Sequence, residues 1–138
     1  MSTSEDIGKL VLRITLAILI LLHGVSKLQN GIDFISGLVS GAGLPSAFAY
    51  LVYIGEVVAP LLVLIGLFTR PAALLIAVNM IVAIVLVHMG ELFTFTNSGG
   101  WALELQGMFL FTAIAMSLLG PGRYSLDAKA RRKKNRVI

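Results

Sequence analysis

Residues 47–89 of the chain are AFAYLVYIGEVVAPLLVLIGLFTRPAALLIAVNMIVAIVLVHM. Two apolar runs, 47–68 and 71–89, are separated only by the dipeptide Thr69-Arg70. A helix needs about 20 mostly apolar residues to cross the hydrocarbon core of a bilayer, and each run is close to that length. Pro71 suits the first turn of a helix, where its missing N–H has no partner to lose. The stretch therefore predicts two membrane helices that pack as antiparallel neighbours.

The rest of the chain has the same character. Two further helices are predicted at about 9–28 and 101–119, with an interfacial segment over 32–44 and a basic cytoplasmic tail over 121–138. Hydrophobic residues make up 57% of the 138 residues and charged residues only 13%, against roughly 25% charged residues in average soluble domains. We therefore predict an all-α protein, one membrane domain over residues 1–138 that forms a four-helix antiparallel bundle, with no soluble catalytic domain.

The basic residues predict how this bundle is oriented. Ten of the eleven lysine and arginine residues fall on one side if both termini share a compartment, and only Lys27 falls on the other. Because positive residues are enriched in cytoplasmic segments, we expect both termini to be cytoplasmic. The tail ARRKKNRVI directly follows a membrane helix, which favours anionic lipid over nucleic acid as its partner. Arg13, one turn inside the first helix, is expected to extend to the lipid headgroups.

One ionisable residue lies toward the same end of each predicted helix. At a rise of 1.5 Å per residue, the four lie roughly 15 to 25 Å above the predicted cytoplasmic ends. Titratable groups at membrane depth are costly and usually face the interior of a bundle. We therefore predict a polar pocket in the outer half of the bundle, lined by His23, Glu56, His88 and Glu104.

Three other polar residues are interpreted from their spacing. Lys27 follows His23 by one helical turn and shares its face, and Tyr53 lies one turn outward of Glu56, so both are candidates to line the pocket. Asn79 precedes His88 by nine residues, which is half a turn out of phase in a straight α-helix. We therefore expect Asn79 to form a hydrogen bond between helices rather than to bind a ligand.

Five segments, in this order, resemble the DoxX family of small bacterial membrane proteins. They are HGVSKL at 23–28, GEVVAPLLVLIGLFTRPAAL at 55–74, His88, GGWALEL at 99–105 and LLGPGRYSLDA at 118–128. The resemblance covers about residues 10–128 and implies a four-helix bundle in the bacterial inner membrane. The family takes its name from a subunit of an archaeal thiosulfate:quinone oxidoreductase, and other members are associated with membrane-attached oxidoreductase complexes. The resemblance therefore implies a redox association.

Two interpretations of the predicted pocket differ in whether it binds a ligand. Carboxylate and imidazole groups can hydrogen-bond the carbonyls of a quinone and transfer its protons, which would make the protein a small subunit or organiser of a quinone-linked redox system. Alternatively, the protein is a non-catalytic membrane interaction module in which an ion-pair cluster only fixes helix packing. That cluster would consist of Lys27 and Arg13 with Glu56 and Glu104.

A third interpretation is a metal or haem site. A metal ion would be held by His23, Glu56, His88 and Glu104, or a haem by the two histidines, although the Glu-x-x-His pairs of di-iron bundles are missing and no metal is assigned. Cysteine is absent, which excludes a dithiol mechanism and iron–sulfur chemistry. The expected partners are the lipid bilayer and either a second copy of the chain or a redox protein, with no nucleic acid.

Overall fold

The computed structural model describes residues 2–137 and consists mainly of six helices. Among these residues no β-strand is formed, although Phe95 and Trp101 make an isolated bridge. The all-α class predicted from the sequence is confirmed. The helices are α1 (Thr3–Asn30), α2 (Asp33–Gly41), α3 (Ser46–Ile65), α4 (Thr69–Glu91), α5 (Glu104–Leu119) and α6 (Leu126–Asn135).

Helices α1, α3 and α4 are each long and apolar enough to cross a membrane, with 28, 20 and 23 residues. Helix α5 is apolar but has only 16 residues. It begins at Glu104, later than the predicted start at 101, because the preceding loop folds back on itself. Trp101 stabilises this loop by two contacts. Its Nε1 donates to the Leu92 carbonyl at 2.8 Å. Its ring packs against Gly107, where the Cβ of any other residue would be 2.6 Å from Trp101 Cζ3.

The four apolar helices enclose a common core. Helix α1 packs against α3 and α5, and α4 also packs against α3 and α5. Fully buried alanines on all four helices allow close helix approach, as is usual in membrane proteins. Large apolar side chains such as Leu22 and Phe111 are exposed on the outward faces, which suits contact with lipid. The segment predicted to be interfacial, 32–44, contains α2, which packs against the beginning of α3.

Arg13 does not extend to the headgroups, and that prediction is wrong. Arg13 is only 2% exposed. Its Nε donates to the Val63 carbonyl at 3.0 Å and its Nη2 to Leu64 at 2.9 Å, while Nη1 donates to Pro121 at 3.0 Å and to Tyr124 at 2.7 Å. The last carbonyls of a helix lack hydrogen-bond donors within that helix. The Arg13 guanidinium has five N–H donors, and it donates to two such carbonyls at the end of α3.

Asp127 accepts hydrogen bonds from unpaired N–H groups at the start of α4. Its Oδ1 accepts a hydrogen bond from the Phe68 N–H at 2.9 Å, and its Oδ2 accepts from the N–H and the hydroxyl of Thr69 at 3.0 Å each. A carboxylate is favoured at a helix N-terminus, where N–H groups are unpaired and the dipole is positive. We name Arg13, Asp127 and the backbone groups they bind the clasp. It ties α1 to the end of α3 and to the segment that follows α5, and it ties the start of α6 to the start of α4.

Candidate functional site

Two of the long helices depart from α-geometry near the end opposite the clasp. Residues Ile54–Val58 of α3 and Ile84–His88 of α4 are π-helical. A π turn accommodates an extra residue and frequently occurs at a functional site. In α3 the π segment is followed by Pro60, which has no N–H to donate to the Glu56 carbonyl. The local sequence therefore gives a reason for the irregular backbone around Glu56.

The π segment of α4 changes which of its side chains point toward α3. In a straight α-helix, Asn79 and His88 are half a turn apart, and we expected them not to face the same point. The π segment Ile84–His88 lies between them and alters that phase, so that both reach the surroundings of Glu56. His88 lines the same cavity as Glu56, and Asn79 hydrogen-bonds the Glu56 carboxylate.

Glu56 is the buried centre of the site. Its Oε2 forms an ion pair with Lys27 Nζ, and its Oε1 accepts a hydrogen bond from Asn79 Nδ2 at 3.2 Å. The Tyr53 hydroxyl donates to the Lys27 carbonyl at 3.2 Å, which fixes the end of α1 against α3. Gly24 permits this close approach, because a Cβ there would overlap the Glu56 carbonyl oxygen. The expectation that Asn79 joins two helices is met.

A cavity of about 130 Å³ lies beside the ion pair, and we name it the polar pocket. Part of its wall is apolar, with contributions from Met80 and Phe109. The ring of His23 packs edge-on against Phe109, with centroids 5.8 Å apart and planes at 80°. The polar side chains that line the pocket are those of His23, Lys27, Glu56, His88 and Gln106.

His88 and Gln106 form one wall of the polar pocket. His88 Nδ1 is 2.9 Å from Glu91 Oε2, and His88 Nε2 is 3.4 Å from Gln106 Nε2. In the tautomer with a proton on Nδ1, that nitrogen donates to the carboxylate and Nε2 accepts from the amide, which satisfies both contacts. Gln106 Oε1 is buried and has no hydrogen-bond partner within residues 2–137. A buried acceptor left unpaired costs about 1–3 kcal/mol, so a ligand that donates to it would be stabilised.

The structure brings together four of the six residues proposed for the pocket: His23, Lys27, Glu56 and His88. Tyr53 contacts the site only through the Lys27 backbone. Glu104 is exposed and does not line the pocket. It precedes Gln106 by two residues, which is about 200° around an α-helix, so it lies on the opposite face of α5.

Gln106 is not among the predicted pocket residues, since that prediction rests on ionisable side chains. Its position carried a usable signal, since it lies three residues before Phe109 and seven before Ala113, both of which are buried. That spacing places an amide on the buried face of α5. A polar side chain on such a face needs a partner, and the sequence offers one in His88 of the neighbouring helix.

The metal and haem alternatives find little support in this arrangement. Within the described part of the chain, no group of three or more histidine, aspartate, glutamate or cysteine side chains is placed to hold a metal ion. The predicted set is not assembled, since Glu104 faces away from the other three. A haem between His23 and His88 would need a much larger space, because pockets for drug-sized ligands measure about 300–1,000 Å³.

Comparison with known proteins gives this site a family context. A family model described as DoxX matches residues 8–89, a range that contains His23, Lys27, Glu56 and His88. A Bacillus subtilis protein named "Putative oxidoreductase CatD" is 35% identical over 127 residues, covering 92% of this chain and 90% of that protein. A Mycobacterium tuberculosis protein named "Uncharacterized membrane protein Rv3486" is 31% identical over 132 residues, covering 86% and 78%. No solved structure matches the chain.

Proposed function

The chain belongs to the DoxX family of membrane proteins, and from this premise we propose that its polar pocket binds the head group of a quinone in a membrane redox system. The protein would act as a small subunit or organiser, with electrons supplied by a partner oxidoreductase. The name of the Bacillus subtilis relative, which includes the word oxidoreductase, supports a redox association.

The proposal includes a membrane arrangement. Helices α1, α3, α4 and α5 form a four-helix bundle across the bacterial inner membrane, with both termini in the cytoplasm. The positive-inside rule supports this orientation, because ten of the eleven lysine and arginine residues then lie on the cytoplasmic side. The clasp is then cytoplasmic, and the polar pocket lies in the outer half of the bundle. Helix α5, with 16 residues, is accommodated by local thinning of the bilayer.

The observation that carries the proposal is a buried, unpaired acceptor on a residue that lines a cavity large enough for one ring. Gln106 Oε1 is buried and has no donor within residues 2–137, and Gln106 is one of the residues that line a cavity of about 130 Å³. An apolar cavity of about 150 Å³ can hold benzene, so a single six-membered ring is the appropriate size. A quinone, when bound, takes up two electrons and two protons, which turns its two carbonyl acceptors into hydroxyl donors.

The residues of the polar pocket suit both forms of such a ring. The ammonium of Lys27 has three N–H donors, and the Glu56 ion pair leaves part of that capacity for a carbonyl oxygen. Gln106 also lines the pocket, and an amide oxygen can accept a hydrogen bond from a hydroxyl. His23, which is exposed beside Phe109, and His88, which is hydrogen-bonded to Glu91, both line the pocket, and an imidazole can donate or accept a proton.

One observation favours a second candidate function, a non-catalytic membrane interaction module. Lys27 and Glu56 neutralise each other, and Asn79 supplies a further hydrogen bond. Intramembrane charges that pair in this way can serve helix packing alone. This interpretation leaves the buried Gln106 oxygen without an explanation, and for that reason we rank it second.

The experiment that separates the two candidates is Gln106→Leu. Leucine has a similar size and removes the unpaired acceptor, but it also removes the amide N–H group beside His88 Nε2, so we expect an unfolding temperature close to that of the wild type. The amount of quinone that co-purifies from native membranes, measured by solvent extraction and liquid chromatography, should fall about tenfold, as expected for the loss of one hydrogen bond. The matched control is Gln29→Leu, since Gln29 is exposed at the end of α1.

Two results would contradict the quinone proposal. One is a wild-type protein that carries only lipid when it is released gently from its own membranes. The other is a Gln106→Leu variant that retains as much quinone as Gln29→Leu. Either result would favour the interaction module and make the Lys27–Glu56 ion pair an element of helix packing.

A further inference from the structure

A second cavity lies at the clasp end, between the end of α5 and helix α6. It has a volume of about 250 Å³, and we name it the basic groove. Among the described residues, none that lines it is acidic. Guanidinium groups gathered in this way repel one another, and an anion held among them would relieve that repulsion. The arginines that line the groove are Arg70, Arg123, Arg131 and Arg132.

Nearby carboxylates are directed toward backbone groups rather than into the groove. Asp127 accepts hydrogen bonds from the N–H groups of Phe68 and Thr69. Asp6 is buried, and its Oδ1 accepts from the Arg123 N–H at 2.9 Å. These carboxylates hold the walls of the groove in place. Arg132 donates from Nη2 to the Arg123 carbonyl at 3.5 Å, and a guanidinium has five N–H groups, so donors remain for an external anion.

Helix α6 presents only part of its positive charge to the groove. Ala128, Arg131, Arg132 and Asn135 line it, and their spacing of three, four and seven residues defines one helical face. Ser125 caps the helix by accepting from the Ala128 N–H at 3.2 Å. The groove face carries arginines, which match the geometry of phosphate oxygens better than lysines do. The lysines of α6, Lys129, Lys133 and Lys134, do not line the groove.

We propose that the basic groove binds the phosphate group of an anionic phospholipid. Leu119, the last residue of α5, lines the groove, and the neighbouring Leu118 is 72% exposed, so the groove opens where the apolar surface of α5 ends. Acyl chains can therefore follow α5 while the phosphate lies among the arginines. Arg70 is already held in place, because its Nη1 donates to the carbonyls of Ser117 and Leu118 at 3.0 and 2.6 Å.

This proposal differs from a general attraction between a basic tail and a membrane. General attraction depends on the number of charges, whereas a groove depends on which side chains line it. It is also independent of the quinone proposal, because the basic groove and the polar pocket lie at opposite ends of the helices and share no residue.

The chain offers a matched pair of variants for the test. Arg131→Gln with Arg132→Gln removes two charges from the groove face, and Lys133→Gln with Lys134→Gln removes two charges from α6 outside the groove. All four side chains are exposed, so both variants should fold, which thermal unfolding in detergent will verify. Native mass spectrometry with equimolar phosphatidylglycerol and phosphatidylcholine then measures lipid preference for each protein.

We expect the wild type and the lysine variant to prefer phosphatidylglycerol, and the arginine variant to bind it roughly tenfold more weakly or worse. Equal losses in the two double variants would overturn the proposal in favour of diffuse attraction. A wild type with no preference for phosphatidylglycerol would also overturn it. Displacement of phosphatidylglycerol by millimolar inorganic phosphate would assign the groove to a soluble phosphate ligand and overturn the lipid assignment.

Discussion

The ion pair between Lys27 and Glu56 permits a quantitative test of the site. Glu56→Gln preserves the side-chain shape and the contact with Asn79 but removes the negative charge. Losing one partner of a fully buried ion pair costs about 3–5 kcal/mol. The Lys27 side chain, however, is 26% exposed, compared with 6% for Glu56, so water can solvate the remaining ammonium. We therefore expect Glu56→Gln to lower the free energy of unfolding by about 2–3 kcal/mol.

Substitution of the other partner, Lys27, should lower the free energy of unfolding more. Lys27→Met leaves the more deeply buried partner charged and unpaired, so we expect a loss of about 3–5 kcal/mol. In the double variant neither charge remains, and it should be more stable than Lys27→Met alone. The coupling energy between the two sites should be about 2–3 kcal/mol, within the range for residues in direct contact.

The assay is thermal unfolding in a mild detergent, followed by circular dichroism. At about 2–4 °C per kcal/mol for a protein of this size, Glu56→Gln should lower the unfolding temperature by roughly 4–12 °C. Lys129→Met, on the exposed surface of α6, is the control for exchanging lysine for methionine. Additive effects of the two single substitutions would refute a buried ion pair, and a Lys27→Met variant that is milder than Glu56→Gln would refute the burial argument.

Two further substitutions test the contacts that position the site. Arg13→Met should cost about 4 kcal/mol, because four backbone carbonyls each lose a hydrogen bond, although that of Val63 still accepts from the Gly66 N–H at 3.1 Å. Arg13→Lys should recover only part of this loss, as the yield of monodisperse protein by size-exclusion chromatography will show. Gly24→Ala should cost about 1–3 kcal/mol by overlap with the Glu56 carbonyl, whereas Gly8→Ala, which meets nothing within 4 Å, should leave the unfolding temperature unchanged or higher. Equal unfolding temperatures for the two alanine variants would contradict the packing of α1 on α3.

Hydrophobic run length was sufficient to predict the all-α class, because a membrane helix satisfies its own backbone hydrogen bonds whatever its neighbours are. The same reasoning failed for Arg13. A basic residue near the end of a membrane helix usually extends to the headgroups, and the sequence gives no sign that Val63, Leu64, Pro121 and Tyr124 will direct their carbonyls toward one point. That arrangement depends on how three separate segments meet.

For the candidate site, the sequence predicted the height of each residue along its helix better than the direction in which its side chain points. Counting residues placed Glu56 and His88 at similar heights, and the structure brings both to the polar pocket. The direction of a side chain around a helix can be predicted only if every residue turns by the same angle. The π segment Ile84–His88 does not meet that condition. Glu104 lies outside the polar pocket for a simpler reason. The prediction rests on its height along the helix and not on its angle around the helix relative to Gln106.

The two ends of the helices differ in how completely their polar groups are satisfied, and this difference bears on function. At the clasp, the guanidinium of Arg13 and the carboxylate of Asp127 each find several partners. At the polar pocket, two π segments interrupt regular helix and the Gln106 oxygen has no partner in the described chain. Unsatisfied or irregular features that destabilise a protein are tolerated where function needs them. Gln106→Leu removes the unpaired acceptor and also the amide beside His88 Nε2, so stability alone does not separate a packing role from ligand binding, and the amount of quinone retained by this variant is the measurement that does.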